Sequence, residues 1–307
     1  MKVGAHRLDS ETLFYGLGTV KLGLPFTTTR ALCDGFDTVR RARRYLRHKA
    51  LGRSLVQAHP ASRGVIDQRR GSAPIDETVQ ALIPGFAEMV ARAQQIVAAQ
   101  GEALDPEPGE PYGNLLTDAE LRRNPIFFDV ASQPSLVAMV ADYLGIAPQL
   151  RNISILLSKP REGLFSSMRY HLDRMDTGMV GLWINLIDMT PENGPFTFVP
   201  ADQSEKVCSS LDYYRTSWTG QTRVEDEDID RIVGAEACTP VAGRAGTGHW
   251  FVDTSRCLHM GGRCRTGMRA ALHIRYCLPH KIGPTYRDRF IDQAGDDPLR
   301  RALLLLD

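Results

Sequence analysis

The chain has 307 residues, of which 43% are hydrophobic, a length and composition that suit one globular unit with a full core. With 37 basic and 36 acidic residues the net charge is +1, so no overall field favours nucleic acid or a membrane surface, and a small molecule is the expected partner. No apolar run reaches the roughly 18 residues of a membrane span, and the N-terminal residues lack the apolar stretch of a signal peptide.

The cysteines indicate a reducing compartment. The six of them form no C-x-x-C pair, and in a chain of this size they are expected to be free thiols. The predicted location is therefore the cytoplasm. They stand at Cys33, Cys208, Cys238, Cys257, Cys264 and Cys277.

The first half of the chain, residues 1–150, is predicted to be mainly helical. Its first helix follows the candidate N-caps Thr27 to Thr29 and ends in a cluster of arginines, where cations suit the helix dipole. With a balanced net charge, this basic run is interpreted as a solvated helix end. The apolar residues that recur at helical spacing are Leu32, Phe36, Val39 and Leu46.

A second helix is predicted from Asp76 to Gln100, with a kink at Pro84 and Gly85. It is followed by the Pro/Gly-rich residues 101–114, which are predicted to form a loop. This loop is too short to be a convincing linker between domains, so one domain is expected for residues 1–307.

The second half of the chain is predicted to be β-structure. Turn formers separate its apolar runs, a pattern typical of a sandwich or barrel. The predicted β core spans residues 151–280, with a polar insertion at 202–240 that is either functional or mobile. In the tail, residues 281–307, an apolar run after Asp297 and Pro298 predicts a short docking helix or a homodimer contact. The predicted strands are "ISILLS", "GLWINLI", "FTFVP", "HWFV" and "ALHIRYCL".

A histidine and a carboxylate stand between two of these strands, at His171 and Asp173. Side chains two residues apart on a strand point to the same face, so the two are expected to converge. Together with His259 they are a candidate 2-His-1-carboxylate set, the ligands that hold non-haem Fe(II). An isolated His-x-Asp triplet also arises by chance, and a lone histidine is more often a hydrogen-bonded core residue. His249, His273 and His280 are expected to be core or surface histidines, because the candidate set needs no fourth ligand.

Two arginines follow on the last predicted strand. Arg269 stands ten residues after His259, where a guanidinium can bind a carboxylate in a bidentate manner, although a surface arginine at a strand start is the competing interpretation. Arg275 is six residues further along, and because side chains alternate along a strand, it is expected on the same face as Arg269. It is either a second pocket cation for the substrate or the partner of a structural carboxylate.

Four further residues are assigned to the predicted pocket. Trp183 and Asn185 share one face of the strand that follows His171 and Asp173, where an aromatic residue either packs in the core or forms a pocket wall. Asn152, in the strand before the motif, and Tyr170, next to it, are the remaining candidates for substrate contact.

The order of these motifs resembles the phytanoyl-CoA dioxygenase-like family of Fe(II)/2-oxoglutarate-dependent oxygenases. The matching segments are "YHLD" at 170–173, "GLWINLIDMTPENGPFTFVPADQ" at 181–203, and the segment 248–276, which reads "GHWFVDTSRCLHMGG" before the Arg-containing strand "RAALHIRY". More loosely, "FYGLGTVKLGLPFTTTRALCDGF" at 14–36 is similar to the first strand and helix of that family. The resemblance spans most of residues 14–280.

The resemblance implies a mainly β fold with flanking helices. Its core would be a double-stranded β-helix, of jelly-roll or cupin-like type, preceded by an α-helical N-terminal half. It further implies that His171, Asp173 and His259 bind Fe(II), that Arg269 and Trp183 contact the co-substrate 2-oxoglutarate, and that O₂ is the oxidant. The expected reaction is hydroxylation of an unactivated C–H bond of a small molecule, with decarboxylation of 2-oxoglutarate to succinate.

Other functions remain open at the level of sequence. The same chemistry begins desaturation, cyclisation or epoxidation in natural-product biosynthesis, and nothing in the pocket residues separates these outcomes. A hydrolytic zinc site also uses His and Asp ligands, but the chain has no H-E-x-x-H pattern. A barrel that only binds a metabolite would not explain the offset of Arg269 from His259.

Overall fold

The computed structural model describes residues 26–107, 110–164, 166–173, 176–211, 213, 222–261, 263–279 and 287–306. Its helices lie in the first half of the chain, in the insertion and at the C-terminus. They are α1 (Phe26–Arg40), α2 (Ala42–Ala58), α3 (Glu77–Ala81), α4 (Phe86–Gln100), α5 (Asp118–Arg123), α6 (Ile126–Ala131), α7 (Pro134–Leu144), α8 (Ala201–Ser210), α9 (Asp226–Val233), α10 (Arg287–Ala294) and α11 (Pro298–Leu303). None of these helices is long and apolar enough to cross a membrane.

The strands form two antiparallel sheets. They are β1 (Ser72–Ile75), β2 (Gly113–Asn114), β3 (Gln149–Ser158), β4 (Met179–Asn185), β5 (Thr197–Phe198), β6 (Thr239–Pro240), β7 (His249–Asp253), β8 (His259–Met260) and β9 (Arg269–Cys277). The larger sheet has the order β1-β7-β4-β9-β3-β2, and the smaller has the order β6-β5-β8. Every pair is antiparallel. The fold is thus mixed α/β with antiparallel sheets.

The two faces of the larger sheet differ in chemistry. On β9, Leu272 and Ile274 belong to the main apolar core, which also contains buried residues of α4, α6 and α7. Because side chains alternate along a strand, Arg269, His273 and Arg275 point to the opposite face. That face carries the polar residues of the sheet and lines a cavity.

The smaller sheet packs against the polar face of the larger one through aromatic side chains. Trp183 of β4 stacks on Phe196 with ring centroids 3.8 Å apart, and Phe198 of β5 meets Trp250 of β7 edge-on at 5.3 Å. This second apolar cluster closes one end of the space between the sheets. The polar residues of β9 therefore face a partly enclosed cavity.

Most predicted elements are confirmed, and some are corrected. The five predicted strands correspond to β3, β4, β5, β7 and β9. The predicted kink at Pro84 and Gly85 is a complete break, because residues 82–85 separate α3 from α4. The first half also contributes two strands, β1 and β2, which pair at opposite edges of the larger sheet. Pro74 of β1 lies at such an edge, where a missing N–H is tolerated.

The insertion and the tail are also ordered in part. Within 202–240 lie most of α8, all of α9 and the strand β6. In the tail, Asp297 caps α11 by accepting from the Leu299 N–H at 2.8 Å, and Leu303 and Leu304 are buried in the main core. The predicted docking helix is confirmed, whereas the homodimer contact stays a prediction. His280 and the strand-like segment before Phe26 lie outside the described residues.

Candidate metal centre and anion pocket

Three predicted ligands lie together where the two sheets meet. His171 and His259 face each other across an isolated antiparallel bridge, with N–H to carbonyl distances of 3.0 and 2.9 Å. The Asp173 N–H donates to the Thr254 carbonyl at 2.8 Å, which brings its carboxylate alongside. One donor atom from each of the three residues lies within 4.8 Å of the others. This spacing allows a single ion to contact all three.

The His-x-Asp segment is not a continuous strand, which corrects the sequence-based expectation. Only His171 makes a ladder contact with β8, because the chain then changes partners. The Leu172 N–H donates to the Tyr213 hydroxyl at 3.1 Å, and the next N–H pairs with Thr254. The two side chains still converge, since both hydrogen bonds hold the segment extended between the smaller sheet and the end of β7.

The hydrogen bonds of the two histidines leave one nitrogen of each free for a metal. His171 Nδ1 lies 2.9 Å from the Arg169 carbonyl, and His259 Nδ1 lies 3.0 Å from the Cys257 carbonyl. A carbonyl only accepts, so each Nδ1 carries the proton and each Nε2 keeps its lone pair. The His259 Nε2 is 4.0 Å from Asp173 Oδ2.

The protonation states also suit a cation. Burial lowers the pKa of His171 to about 3, with a further contribution from His259, and burial also lowers the pKa of His259. Both rings are therefore neutral near pH 7. Burial alone would raise the pKa of Asp173, but the net effect of its neighbours, chiefly the positive charge of Arg275, lowers that pKa. Among the described residues, the buried Asp173 Oδ2 has no hydrogen-bond partner, so the donor set fits a divalent metal.

The candidate ligands line a cavity of about 220 Å³. Its floor is the polar face of the larger sheet, where His273 of β9 lies between Ser154 of β3 and Trp183 of β4. Arg269 and Arg275 stand at the two ends of this row on β9. The lining residues are Tyr112, Asn114, Asn152, Ser154, Leu156, Ser167, His171, Asp173, Trp183, Phe196, His259, Gly261, Arg269, His273 and Arg275.

Arg269 is a buried cation without a counter-charge in the described part of the chain. Its side chain is 2% exposed, its Nε has no hydrogen-bond partner, and it makes no ion pair with a described residue. Burial lowers its pKa to about 10, so it remains charged near pH 7. Its guanidinium lies 5.9 Å from the centre of the Trp183 ring. A buried cation of this kind is a candidate partner for an anion.

Of the remaining predicted pocket residues, Trp183 and Asn152 line the cavity, whereas Asn185 and Tyr170 do not. Trp183, stacked on His273 at 4.0 Å, forms a wall, and Asn152 lies near Arg275. Asn185 is absent from the described lining because its side-chain amide donates to the carbonyls of Thr247 and Gly248, both at 3.2 Å.

Tyr170 is the second predicted pocket residue that lies outside the described lining. Its ring packs in the apolar cluster beneath the insertion, and its hydroxyl donates to Cys238 Sγ at 3.2 Å. The position next to His171 therefore points away from the metal centre. Alternation along an extended chain accounts for this, because neighbouring side chains face opposite sides.

The pocket also contains residues that were not predicted. His273, expected to be a core or surface residue, is 1% exposed and has a buried Nε2 without a partner in the described structure. His273 and Ser154 lie on the same face of the larger sheet as Arg269. The alternation of side chains along β9 and β3 could therefore have predicted both residues. Tyr112 and Asn114 reach the pocket from the Pro/Gly-rich loop and β2, and no pattern in that segment pointed to it.

Comparisons with known proteins give similarities of fold only. No family model matches this sequence, and no curated protein matches it significantly. Solved structures that resemble it include EctD from S. alaskensis with bound Fe, at 16% identity, a TM-score of 0.46, and coverage of 74% of this chain and 78% of that one.

Two further structures are similar to a comparable extent. The non-heme alpha-ketoglutarate-dependent epimerase SnoN from nogalamycin biosynthesis is 19% identical, with a TM-score of 0.43 and coverage of 74% and 84% of the two chains. AviO1 from Streptomyces viridochromogenes Tue57 is 19% identical, with a TM-score of 0.42 and coverage of 74% and 97%.

Proposed function

We propose that this chain is an Fe(II)/2-oxoglutarate-dependent oxygenase that hydroxylates an unactivated C–H bond of a small molecule while 2-oxoglutarate is decarboxylated to succinate. One observation carries the proposal: a His, Asp and His donor set shares one cavity with the buried, unpaired guanidinium of Arg269. A metal site alone would need no such cation. A metal that binds one end of a dicarboxylate requires a second anchor for the other end.

The donor set and Arg269 would bind different parts of the reactants. His171, Asp173 and His259 would hold Fe(II) on one side, which leaves coordination positions open toward the cavity. Arg269 would bind the distant carboxylate of 2-oxoglutarate, because a planar guanidinium matches a carboxylate with two parallel hydrogen bonds. Bound iron, 2-oxoglutarate and O₂ together supply the oxidising chemistry.

The remaining pocket residues orient the reactants and exclude water. Trp183 and Phe196 form a stacked apolar wall that extends from the donor set to Arg269, because Phe196 lies 5.4 Å from the His259 ring and Trp183 lies 5.9 Å from the Arg269 guanidinium. Such a wall lowers the local dielectric and strengthens the ion pair that Arg269 would form. The polar residues of the pocket floor would then position the substrate so that one of its C–H bonds lies near the metal.

The fold agrees with this assignment. We infer that residues 1–307 form one domain whose two antiparallel sheets are the core of a double-stranded β-helix. The basis is their face-to-face packing around the donor set. Membership of the phytanoyl-CoA dioxygenase-like family stays a prediction, as do a cytoplasmic location and a role in natural-product biosynthesis.

Anaerobic reconstitution tests the proposed co-substrate. Adding Fe(II) and then 2-oxoglutarate should produce the visible absorbance of the iron chelate. His171→Ala, Asp173→Ala and His259→Ala should each lose this absorbance and Fe(II) binding while keeping their circular dichroism spectra. His249→Asn, which changes a buried histidine outside the donor set, is the matched control and should keep both. Full Fe(II) binding in any of the three alanine variants would refute the donor set.

The reaction itself is tested by substrate-dependent succinate formation across a metabolite library, followed by mass spectrometry of the product. An added oxygen atom would support hydroxylation. Loss of two hydrogens would instead identify a desaturase or cyclase on the same site. Binding of 2-oxoglutarate without succinate formation from any compound would leave a metabolite-binding barrel as the better description.

A further inference from the structure

A second arginine lies at the opposite end of the pocket floor from Arg269. Arg275 is six residues further along β9 on the same face, so the two Cα atoms are about 20 Å apart at ~3.3 Å per residue. Its guanidinium turns toward the donor set, with Nη2 3.6 Å from Asp173 Oδ2. The two cations therefore stand at opposite ends of the same row of floor residues.

Arg275 is incompletely paired among the residues that the structure describes. Its contact with Asp173 is longer than a hydrogen bond, and Asp173 Oδ2 accepts no hydrogen bond from a described residue. The Arg275 Nε is buried and likewise has no partner in the described part of the chain, and its side chain is only 19% exposed. Structural pairing with a carboxylate would give short, bidentate contacts. The observed arrangement leaves donors of Arg275 available to a ligand.

The charges of the loaded pocket lead to the same conclusion. Asp173 is the only acidic side chain among the described residues that line the cavity. Divalent iron with Asp173 leaves one positive charge, and the 2-oxoglutarate dianion with Arg269 leaves one negative charge, so these four cancel. Arg275 then remains as one uncompensated positive charge in a partly closed cavity. An uncompensated cation there favours a ligand with one negative charge.

The strands on both sides of Arg275 leave room for such a group. Its neighbour on β4 is Gly181, where an added Cβ would lie 2.9 Å from His273 Nε2, so any side chain there would crowd the floor. Its neighbour on β3 is Asn152, whose buried Oδ1 has no hydrogen-bond partner among the described residues. A ligand at Arg275 can therefore place an anionic group on the guanidinium and a hydrogen-bond donor on Asn152.

We infer that Arg275 forms a subsite for a singly charged anionic group, such as a carboxylate, on the primary substrate, and that Asn152 Oδ1 accepts a hydrogen bond from a donor group of the same ligand. This inference rests on the proposed function, because the charge count includes iron and 2-oxoglutarate. The oxidised carbon would then belong to an organic acid held between Arg275 and the metal, with its body against the Trp183 side of the floor. A neutral substrate would leave Arg275 uncompensated.

The experiment measures binding to the whole chain in the absence of turnover. The protein is kept anaerobic, and it is loaded with Mn(II) in place of Fe(II) and with saturating 2-oxoglutarate. The probes are matched pairs of acids and their primary amides, among them 3-phenylpropionate with 3-phenylpropionamide and hexanoate with hexanamide. Affinity is measured by calorimetry. At least one acid should bind the wild-type protein about tenfold more tightly than its amide. Arg275→Gln should abolish that preference, Arg275→Lys should keep part of it, and the exposed-site control Arg244→Gln should not change it.

Mn(II) and 2-oxoglutarate affinities, measured first, separate the two hypotheses. If wild-type protein binds neither, the proposed function fails and not only the subsite. If it binds both, the subsite is refuted when no acid in the panel exceeds its amide, or when Arg275→Gln keeps the preference. It is equally refuted if Arg275→Gln weakens Mn(II) binding instead, because Arg275 would then act by positioning Asp173. Unchanged Mn(II) and 2-oxoglutarate affinities with loss of acid preference support it.

Discussion

At the scale of single residues, the pocket collects polar atoms that the described structure leaves unpaired. Each such buried atom costs about 1 to 3 kcal/mol, so a core selected only for stability would not accumulate them. A bound metal, co-substrate or substrate would supply the missing partners. The pocket-lining residues with such an atom are Asn152, Asp173, Trp183, Arg269, His273 and Arg275.

Arg269 gives the sharpest prediction at this scale. Arg269→Gln should weaken 2-oxoglutarate binding by tens- to thousands-fold, because removing one partner of a buried charged pair costs about 2 to 5 kcal/mol. Fe(II) affinity should stay nearly unchanged, since Arg269 is absent from the donor set. Titrating 2-oxoglutarate into the iron-loaded variant, with the chelate absorbance as readout, measures both. Unchanged affinity for 2-oxoglutarate would move the anchor to another cation.

His249 makes the folded state sensitive to acid. It is buried against Phe86, with ring centroids 5.6 Å apart, and burial lowers its pKa to about 4 from about 6.5 in the unfolded chain. A lowered histidine pKa means that the unfolded state binds the proton first. The stabilisation is therefore complete above pH 6.5 and declines by about 3 kcal/mol as the pH falls toward 4.

Unfolding by urea at several pH values checks this effect. His249→Asn keeps an acceptor for the Asn185 N–H, which His249 Nδ1 accepts at 3.2 Å, but does not titrate. Its free energy of unfolding should therefore fall less than that of the wild type between pH 7 and pH 5. The same decline in both proteins would show that other groups, such as His273, cause the acid sensitivity.

At the scale of elements, the insertion holds the segment that carries two metal ligands. Val224 pairs with Tyr170 in an isolated bridge. Arg263 links α9 to the same segment, because its guanidinium binds Asp226 of α9 and the Arg263 Nε donates to the Met168 carbonyl at 2.6 Å. The Tyr213 hydroxyl accepts from the Leu172 N–H and donates to the Thr222 carbonyl at 2.9 Å. The contacts of residues 202–240 therefore reach both sides of His171.

Tyr213 tests this role of the insertion. Tyr213→Phe leaves the buried Leu172 N–H without its acceptor, which costs about 1 to 3 kcal/mol and loosens the segment between His171 and Asp173. We expect metal affinity, measured by calorimetry with Mn(II), to fall about tenfold or more. Tyr276→Phe is the matched control, because it loses a buried hydroxyl contact with the Ala131 carbonyl on the helical side of the sheet. It should lower the melting temperature without changing metal affinity.

At the scale of the whole molecule, ligand binding should stabilise the folded state by linkage. A ligand that binds only the folded chain at a hundred times its Kd adds about 2.7 kcal/mol to the free energy of unfolding. Adding Mn(II) and 2-oxoglutarate together should raise the melting temperature more than the two separate increments combined, because chelation couples them. A chelator should reverse the rise. In Asp173→Ala, adding Mn(II) and 2-oxoglutarate together should leave the melting temperature almost unchanged. A full rise in the melting temperature of this variant would show that the metal binds elsewhere.

The sequence by itself determined most of the larger elements and identified the candidate ligands. Alternating apolar residues and turn formers are local signals, so they located β3, β4 and β9 and placed Arg269 and Arg275 on one face. The N-cap at Asp297 was readable for the same reason. The candidate ligands came from the order of the motifs, which the tertiary structure then brought within reach of one ion.

Only the tertiary structure decided which of these residues share the pocket. Asn185 lies on the same face as Trp183, yet its amide is taken by carbonyls more than sixty residues away in the chain. Tyr112 reaches the pocket because β2 pairs with β3 at the sheet edge, a contact between distant segments that no local period encodes. The period of two assigns a side chain to a face of a sheet. What packs on that face depends on long-range contacts.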